Sequence, residues 1–162
     1  MKAIGVTGHQ DIPALALEFI ENGIRGALEE FRGEFVGITS LAAGADQVFA
    51  RIVLEMGGSL RVIIPSEQYE TTFAEEGPRR QFEFLLQRAG DVETLSHDSP
   101  SENAYLAAGK RIADLSDVLV AIWDGEEAKG KGGTADTVRY ARKRRIKVIV
   151  IWPSGIDREE AP

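Results

Sequence analysis

The sequence contains no cysteine, which excludes disulfides and thiolate metal sites. Histidine is almost as scarce: His9 and His97 are the only two, too few for a histidine-built zinc cage. No stretch approaches the ~20 apolar residues that a membrane-spanning helix needs, and the apolar run at the N-terminus is too short for a signal peptide. The simplest expected location is the cytoplasm, with no membrane partner. Positive charge is in deficit, 19 Lys and Arg against 26 Asp and Glu, for a net charge of -7. Such a chain repels a polyanion at long range unless its cations are gathered in one patch, so nucleic acid is not the expected partner. Internal repeats and low-complexity tracts are also absent.

What remains is ordinary globular composition, 43% hydrophobic and 28% charged over 162 residues, enough for one core. A single domain is expected over residues 1–153, with a polar, frayed tail over 154–162 beginning at Ser154-Gly155.

Short apolar runs rich in β-branched residues alternate with segments of helical period, the pattern of a parallel sheet. Strands are expected at Lys2 to Thr7, Phe35 to Thr39, Leu60 to Ile64, Asp117 to Trp123 and Lys147 to Trp152, with a short edge strand at Val92 to Leu95. The runs near 117 and 147 are almost continuously apolar, as strands buried on both faces are. Between the first two strands, Leu15, Phe19, Ile20, Ile24, Ala27, Leu28 and Phe31 form a stripe on a helix expected over Pro13 to Phe31, started by Asp11. Further helices are expected at Ala45 to Met56, Pro78 to Ala89, Ser101 to Leu115 and Thr134 to Arg144. Gly57-Gly58 and Gly90 stand where helix C-caps belong. The fold class is therefore α/β: a three-layer Rossmann-like domain, its central sheet of about six mainly parallel strands carrying helices on both faces. In such sheets ligands bind at the C-terminal strand ends, where the strand order reverses.

Four turns at that edge carry candidate chemistry. Gly8 and His9, leaving the first strand, allow close backbone approach to a ligand, although a tight turn alone also explains them. The turn Ser40 to Asp46 is built of small residues, among them Ala43 and Gly44; it makes room either for a ligand or for helix packing, with Asp46 favouring the helix start. Ser66 and Glu67 offer a hydroxyl and a carboxylate, and Tyr69 a ring that fits over a base. The fullest signal is Asp124-Gly125 followed by Gly130-Lys131-Gly132-Gly133-Thr134 at a helix start, where amides, a hydroxyl and the positive helix end suit a phosphate and Lys131 adds a mobile charge. It is not the loop of nucleoside triphosphatases, because the lysine precedes the last two glycines. The cationic run Arg139, Arg142, Lys143, Arg144, Arg145, Lys147 falls at the opposite sheet edge and reads as a solvated helix end.

Ser116 to Gly125 with Gly132-Gly133-Thr134, preceded by Gly8-His9 and Ala42-Ala43-Gly44-Ala45-Asp46, resembles the SLOG superfamily, which includes the LOG (lysine-decarboxylase-like) phosphoribohydrolases and the DNA processing protein A Rossmann domain. Asp124-Gly125 with Gly133-Thr134-Ala135-Asp136 is also similar to nucleoside deoxyribosyltransferases. The resemblance implies a nucleoside or ribosyl-phosphate ligand and a homodimer; the small residues Ala104, Ala107, Ala108 and Gly109 would allow close helix contact. Departures bear on catalysis. The glutamates that follow the motif threonine in LOG enzymes are replaced by Ala135-Asp136-Thr137, and their arginine by Ala108. Thr137 occupies the place of the deoxyribosyltransferase nucleophile, with Asp136 roughly 100° around the helix from it.

The expected function is binding of a nucleotide or nucleotide-derived phosphate ester, as a ligand-binding or sensor domain. Its contacts would be Gly8, His9, Ala43, Gly44, Asp46, Ser66, Glu67, Asn103, Asp124, Lys131, Gly132, Gly133 and Thr134, with the base between the small-residue turn and Tyr69 or Trp123. The alternative is a nucleotide N-glycoside hydrolase or transferase, for which Asp136, Glu67 and Asp124 are the catalytic candidates; DNA binding is a third. No metal site and no definite cofactor other than the nucleotide ligand are expected.

Overall fold

The computed structural model describes residues 1–96, 100–127 and 133–157. Six strands, β1 (Lys2–Gly8), β2 (Phe35–Thr39), β3 (Ser59–Ile64), β4 (Asp91–Thr94), β5 (Val118–Ile122) and β6 (Lys147–Ile151), form one sheet in the order β4-β3-β2-β1-β5-β6. Every neighbouring pair is parallel. The helices between them are α1 (Ala14–Glu29), α2 (Ala45–Glu55), α3 (Glu76–Leu86), α4 (Glu102–Leu115) and α5 (Thr134–Lys143), with a 3-10 turn at Tyr69–Thr72.

Residues alternate across the sheet, so each central strand feeds two cores. Ile4 and Val6, Leu60 and Val62, and Val118, Val120 and Ile122 face α1, α2 and α3; Ile38, Ile63 and Leu119 face α4 and α5. The chain steps outward from β1 to β4 and then returns to the other side of β1 as β5. The C-terminal ends of β1 and β5 are therefore the switch point, and their register, Ile4 beside Val118 through Gly8 beside Ile122, brings both ends level. Part of the sequence motif serves this pairing: Ala3 donates its amide to Asp117 Oδ2 (2.9 Å), and the Asp117 amide donates to the Ala3 carbonyl (2.8 Å).

The α2 C-terminus is closed by a Schellman pair, Gly57 N–H to Leu54 and Gly58 N–H to Val53, with Gly57 at φ +85. The same motif ends α5, but there Arg145 holds the left-handed position at φ +60.

Several expectations need correction. Asp11 does not start α1; Pro13 is its N-cap, with no side-chain cap. The buried stripe of α1 is Ala16, Ile20, Ile24 and Leu28, while Leu15 and Phe19 are 86% and 51% exposed. Spacing alone does not distinguish 15–19 from 16–20, and the large side chains bias the choice wrongly because position 16 is a small alanine. The small residues of α4 are used inside the chain: Ala104 and Ala108 are buried, and a Cβ on Gly109 would lie 2.4 Å from Thr137 Oγ1, so the α4–α5 contact requires glycine there. Beyond β6, Ile156 packs on the core and its carbonyl accepts from the Trp152 indole at 2.6 Å. No helix among the described residues is long and apolar enough to cross a membrane.

Candidate functional site

The cavity at the switch point has a volume of about 750 Å³, within the range of small-molecule sites. Four walls enclose it: the β1–α1 turn, the β2–α2 turn, the segment from Pro65 to Pro78, and the first turns of α4 and α5.

The first two walls are locked to each other. His9 donates its amide to the Ile122 carbonyl (3.2 Å), and its own carbonyl accepts from the Ala45 amide (3.0 Å). Gly44 lies at φ +81, and a Cβ there would come within 2.2 Å of the Gln10 carbonyl oxygen. Gly8 is confined by packing rather than by its backbone angle, its missing Cβ leaving room for Ala45 and Ile122. Leu41, buried and at φ +56, donates its amide to Thr39 Oγ1, and Gln47 Nε2 bridges the Leu41 and Pro78 carbonyls at 3.2 and 2.9 Å.

Asp46 closes this wall from the first turn of α2. Its carboxylate accepts the Ala42 amide at 3.2 Å. Burial pushes its pKa up to about 7, against the opposing hydrogen bonds from Ala42, Ser40 and Thr39. Beside the wall, the His9 imidazole is buried against Asp124 (Nε2 to Oδ1, 3.2 Å) and lies edge-on to the Trp152 ring with centroids 5.4 Å apart. The Asp124 amide also reaches His9 Nε2 at 3.2 Å, so the imidazole tautomer decides which of the two contacts is a hydrogen bond.

The α5 start contributes Gly133, Thr134, Ala135 and Thr137 to the lining. Its N-cap, Gly133, carries no side-chain cap and sits at φ -74, ψ 174, extended backbone open to any residue. By contrast, α4 is capped by Ser101 Oγ, which accepts the Ala104 amide at 3.0 Å.

Aromatic residues form the far wall. Tyr69 stands edge-on to Phe73, Phe82 and Tyr105, at centroid distances of 5.6, 5.6 and 6.3 Å. Burial, followed by the nearby Asp46 and Tyr105, holds the Tyr69 phenol well above its ordinary pKa.

Of the residues singled out from sequence, Gly8, His9, Ala43, Asp46, Gly133 and Thr134 line the cavity. Gly44 shapes it from behind, and Asp124 positions His9. Ser66 is fully buried with no hydrogen-bond partner for its hydroxyl among the described residues, while Glu67 and Asn103 are exposed; none of the three is in the lining. Asp136 is turned toward Arg139 (2.7 Å) and is likewise outside the lining. Lys131 and Gly132 lie outside the described residues. Lining residues that the sequence reading passed over include Gln10, Thr72, Phe73, Glu75 and Tyr105; the only available signal was the aromatic content of a segment too irregular to place. Carboxylates in the lining are Asp11, Asp46, Glu75, Glu102 and Glu126, and no lysine or arginine joins them among the described residues. No group of three or more metal-ligating side chains is found among those residues either.

No family model and no curated protein matches the chain. Solved structures do. DNA processing protein A from Streptococcus pneumoniae aligns with a TM-score of 0.69 at 21% identity, over 97% of this chain and 52% of that one. A structure of DNA processing protein A from Helicobacter pylori, described by its single-stranded DNA binding mode, gives 0.68 at 16% identity, over 92% and 64%. The molybdenum cofactor binding protein of Rippkaea orientalis gives 0.58 at 17%, over 92% and 75%. The chain thus spans less than two-thirds of the length of either DNA processing protein. At these identities the likeness shows the fold: the chain shares the Rossmann-like α/β architecture of these proteins.

Proposed function

We propose that the cavity binds a nucleotide-like ester carrying a single phosphate, as a ligand-binding or sensor domain. The phosphate sits on the first turn of α5, the sugar lies beside the β1–α1 turn, and the ring points toward Tyr69. The observation that carries this reading is the entry of α5 into the cavity through Gly133, Thr134 and Ala135, with no side chain on its N-cap.

Charge limits the ligand. A helix N-terminus favours an anion by up to about 2 kcal/mol. At an effective dielectric near 20, one carboxylate about 8 Å from a phosphate charge opposes it by a similar ~2 kcal/mol. On these terms one helix end offsets one carboxylate at that distance, and each further phosphate charge brought among the five carboxylates of the lining adds repulsion with no further helix end to offset it. Isothermal titration is expected to show adenosine monophosphate binding more tightly than both adenosine and adenosine triphosphate. Equal affinity for adenosine and its monophosphate would refute the phosphate placement.

Cleavage of the N-glycosidic bond is the second reading, favoured by the carboxylates in the lining. It does not run through the expected groups: Thr137, at the place of the transferase nucleophile, lines the cavity with a hydroxyl 3.5 Å from the Gly133 carbonyl oxygen, and Asp136 faces Arg139. Chromatography after incubation with nucleoside monophosphates tests it through release of free base. The binding reading expects none.

A further inference from the structure

We infer that the outer edge of β6 is a docking site for an acidic peptide, which adds to the sheet as a further strand while its carboxylates meet the cations of α5. The site lies outside the switch-point cavity and does not depend on what that cavity binds.

The two edges of the sheet are built differently. β4 closes one edge with four residues, and its Asp91 and Glu93 are held by Arg61 at 3.2 and 3.3 Å, with Arg111 on Glu93 at 2.9 Å. Shortness and charge are the usual guards against strand pairing. β6 closes the other edge with Lys147-Val148-Ile149-Val150-Ile151, apolar after its first residue. No described strand covers its outer side, and Val150 is 44% exposed. An edge of this kind suits an extended chain that brings its own N–H and C=O groups.

A cationic groove overhangs that edge. On α5, Thr137 and Tyr140 face α4 at Gly109 and Asp114, so the helical period turns Ala135, Arg139 and Arg142 to the opposite side, toward β6. Val148 packs into the core beneath α5, and Val150, two residues on, points to the same face. Trp123, Ala135, Val138, Arg139, Arg142 and Lys143 line a groove of about 380 Å³ there. The Arg142 guanidinium lies 5.9 Å from the Trp123 ring centroid. Arg139 is taken by Glu127 and Asp136, whereas Arg142, Lys143 and Lys147 form no ion pair among the described residues. This part of the cationic run is therefore more than a solvated helix end. Across the sheet, Phe19 is 51% exposed on the side of α1 away from the Glu21–Arg51 pair, and one turn on a Cβ at Gly23 would meet Ile151. A strand added to β6 meets cations on one face and Phe19 on the other, so acidic and apolar side chains should alternate along it.

Charge selects this occupant. A second copy of the chain, paired edge to edge, would bring two sets of α5 cations together with no carboxylate on β6 to offset them. A polynucleotide would use the cations but leave the β6 main chain unpaired, and it approaches a chain of net charge -7. An acidic strand satisfies both the cations and the main chain.

The test is an NMR titration of the full chain with a capped heptapeptide of alternating glutamate and valine. Saturable shifts are expected at the β6 amides and the Trp123 indole N–H, and added salt should weaken the binding. The same peptide with lysine in place of glutamate is expected to bind at least about tenfold more weakly, as is the acidic peptide to the double variant Arg142→Glu, Lys143→Glu. Val150→Lys, which places a charge on the edge itself, should reduce binding below detection. All three positions are exposed or half-exposed, so the melting temperature of both variants should stay at that of the parent. No saturable shift, equal binding of the lysine peptide, or unchanged binding by either folded variant would overturn the proposal. A dimer in sedimentation that Val150→Lys dissociates would give the edge to a second copy, and an oligothymidylate that displaces the peptide would give the cations to nucleic acid; either result also overturns it.

Discussion

The turn at the start of α2 and the turn at the start of α5 look alike in sequence, small residues and glycine leading into a helix, yet they have opposite fates in the fold. At α2 the polar groups are committed to the protein: Ala45 gives its amide to His9, Ala42 gives its amide to Asp46, and Gly44 is pressed against the Gln10 carbonyl. Both N-caps lack a side-chain cap and both turns line the cavity, but at α5 the Thr134 and Ala135 amides make no hydrogen bond to another described residue. The difference teaches that a glycine-rich turn at this sheet edge is either a scaffold or a receptor, and hydrogen-bond commitment separates the two.

The most damaging way to probe the scaffold side is Gly44→Ala. The φ of +81 with ψ -124 is a region that side chains rarely enter, and the Cβ would collide with backbone. Strain and overpacking together should cost about 4–6 kcal/mol, read as a collapse of the urea midpoint. A loss below about 1 kcal/mol would show that the two turns are not locked.

Asp46 gives the next effect. Its folded pKa of about 7 lies above the ordinary carboxyl value of 3.8, so folding favours the protonated form. The resulting stability is fully present below about pH 4 and is lost as pH rises toward 7, by up to about 4 kcal/mol. Asp46→Asn should remove that slope from a series of denaturation curves between pH 4 and 8. A variant retaining the parent's slope would place the titration elsewhere.

On the receptor side, Gly133→Asp should separate binding from stability. Aspartate is a good N-cap residue, so stability should hold or rise by a few tenths of a kcal/mol. Its carboxylate would occupy the anion position, and monophosphate affinity should drop at least about tenfold. Equal losses in both quantities would mean that α5 is scaffold as well.

Much of this was legible in the sequence, and the failures have physical reasons. Strand and helix limits fall within a few residues of expectation because two-sided apolar strands and the Gly57-Gly58 C-cap are local signals; Gly90, expected as a second cap, instead donates its amide to the Leu60 carbonyl, and α3 is closed at Gln87. Gly8 and Gly44 stood out as ligand contacts, but their constraint comes from Ala45, Ile122 and Gln10, neighbours that only tertiary structure supplies. The aromatic wall was hidden for a related reason. Nothing in the local pattern shows that the segment from Pro65 to Pro78 folds back over the strand ends, and Tyr105 joins it from a helix about 30 residues downstream.

The smallest effect tests strain inside and outside the locked turn. Arg145 and Leu41 are the two non-glycine residues with positive φ among those described. Arg145→Gly should stabilise by up to about 1 kcal/mol, because the helix end needs only the left-handed angle. Leu41→Gly should destabilise, since it empties a fully buried position. Stabilisation by both would mean that the Leu41 side chain does not hold the wall.

The most direct test of the division between scaffold and receptor is an amide-resolved NMR titration with adenosine monophosphate. Thr134 and Ala135 resonances should move strongly and saturably, while Ala45 and His9 amides, already bonded within the protein, move little. Large shifts at Ala45 and His9 with a silent α5 start would contradict it.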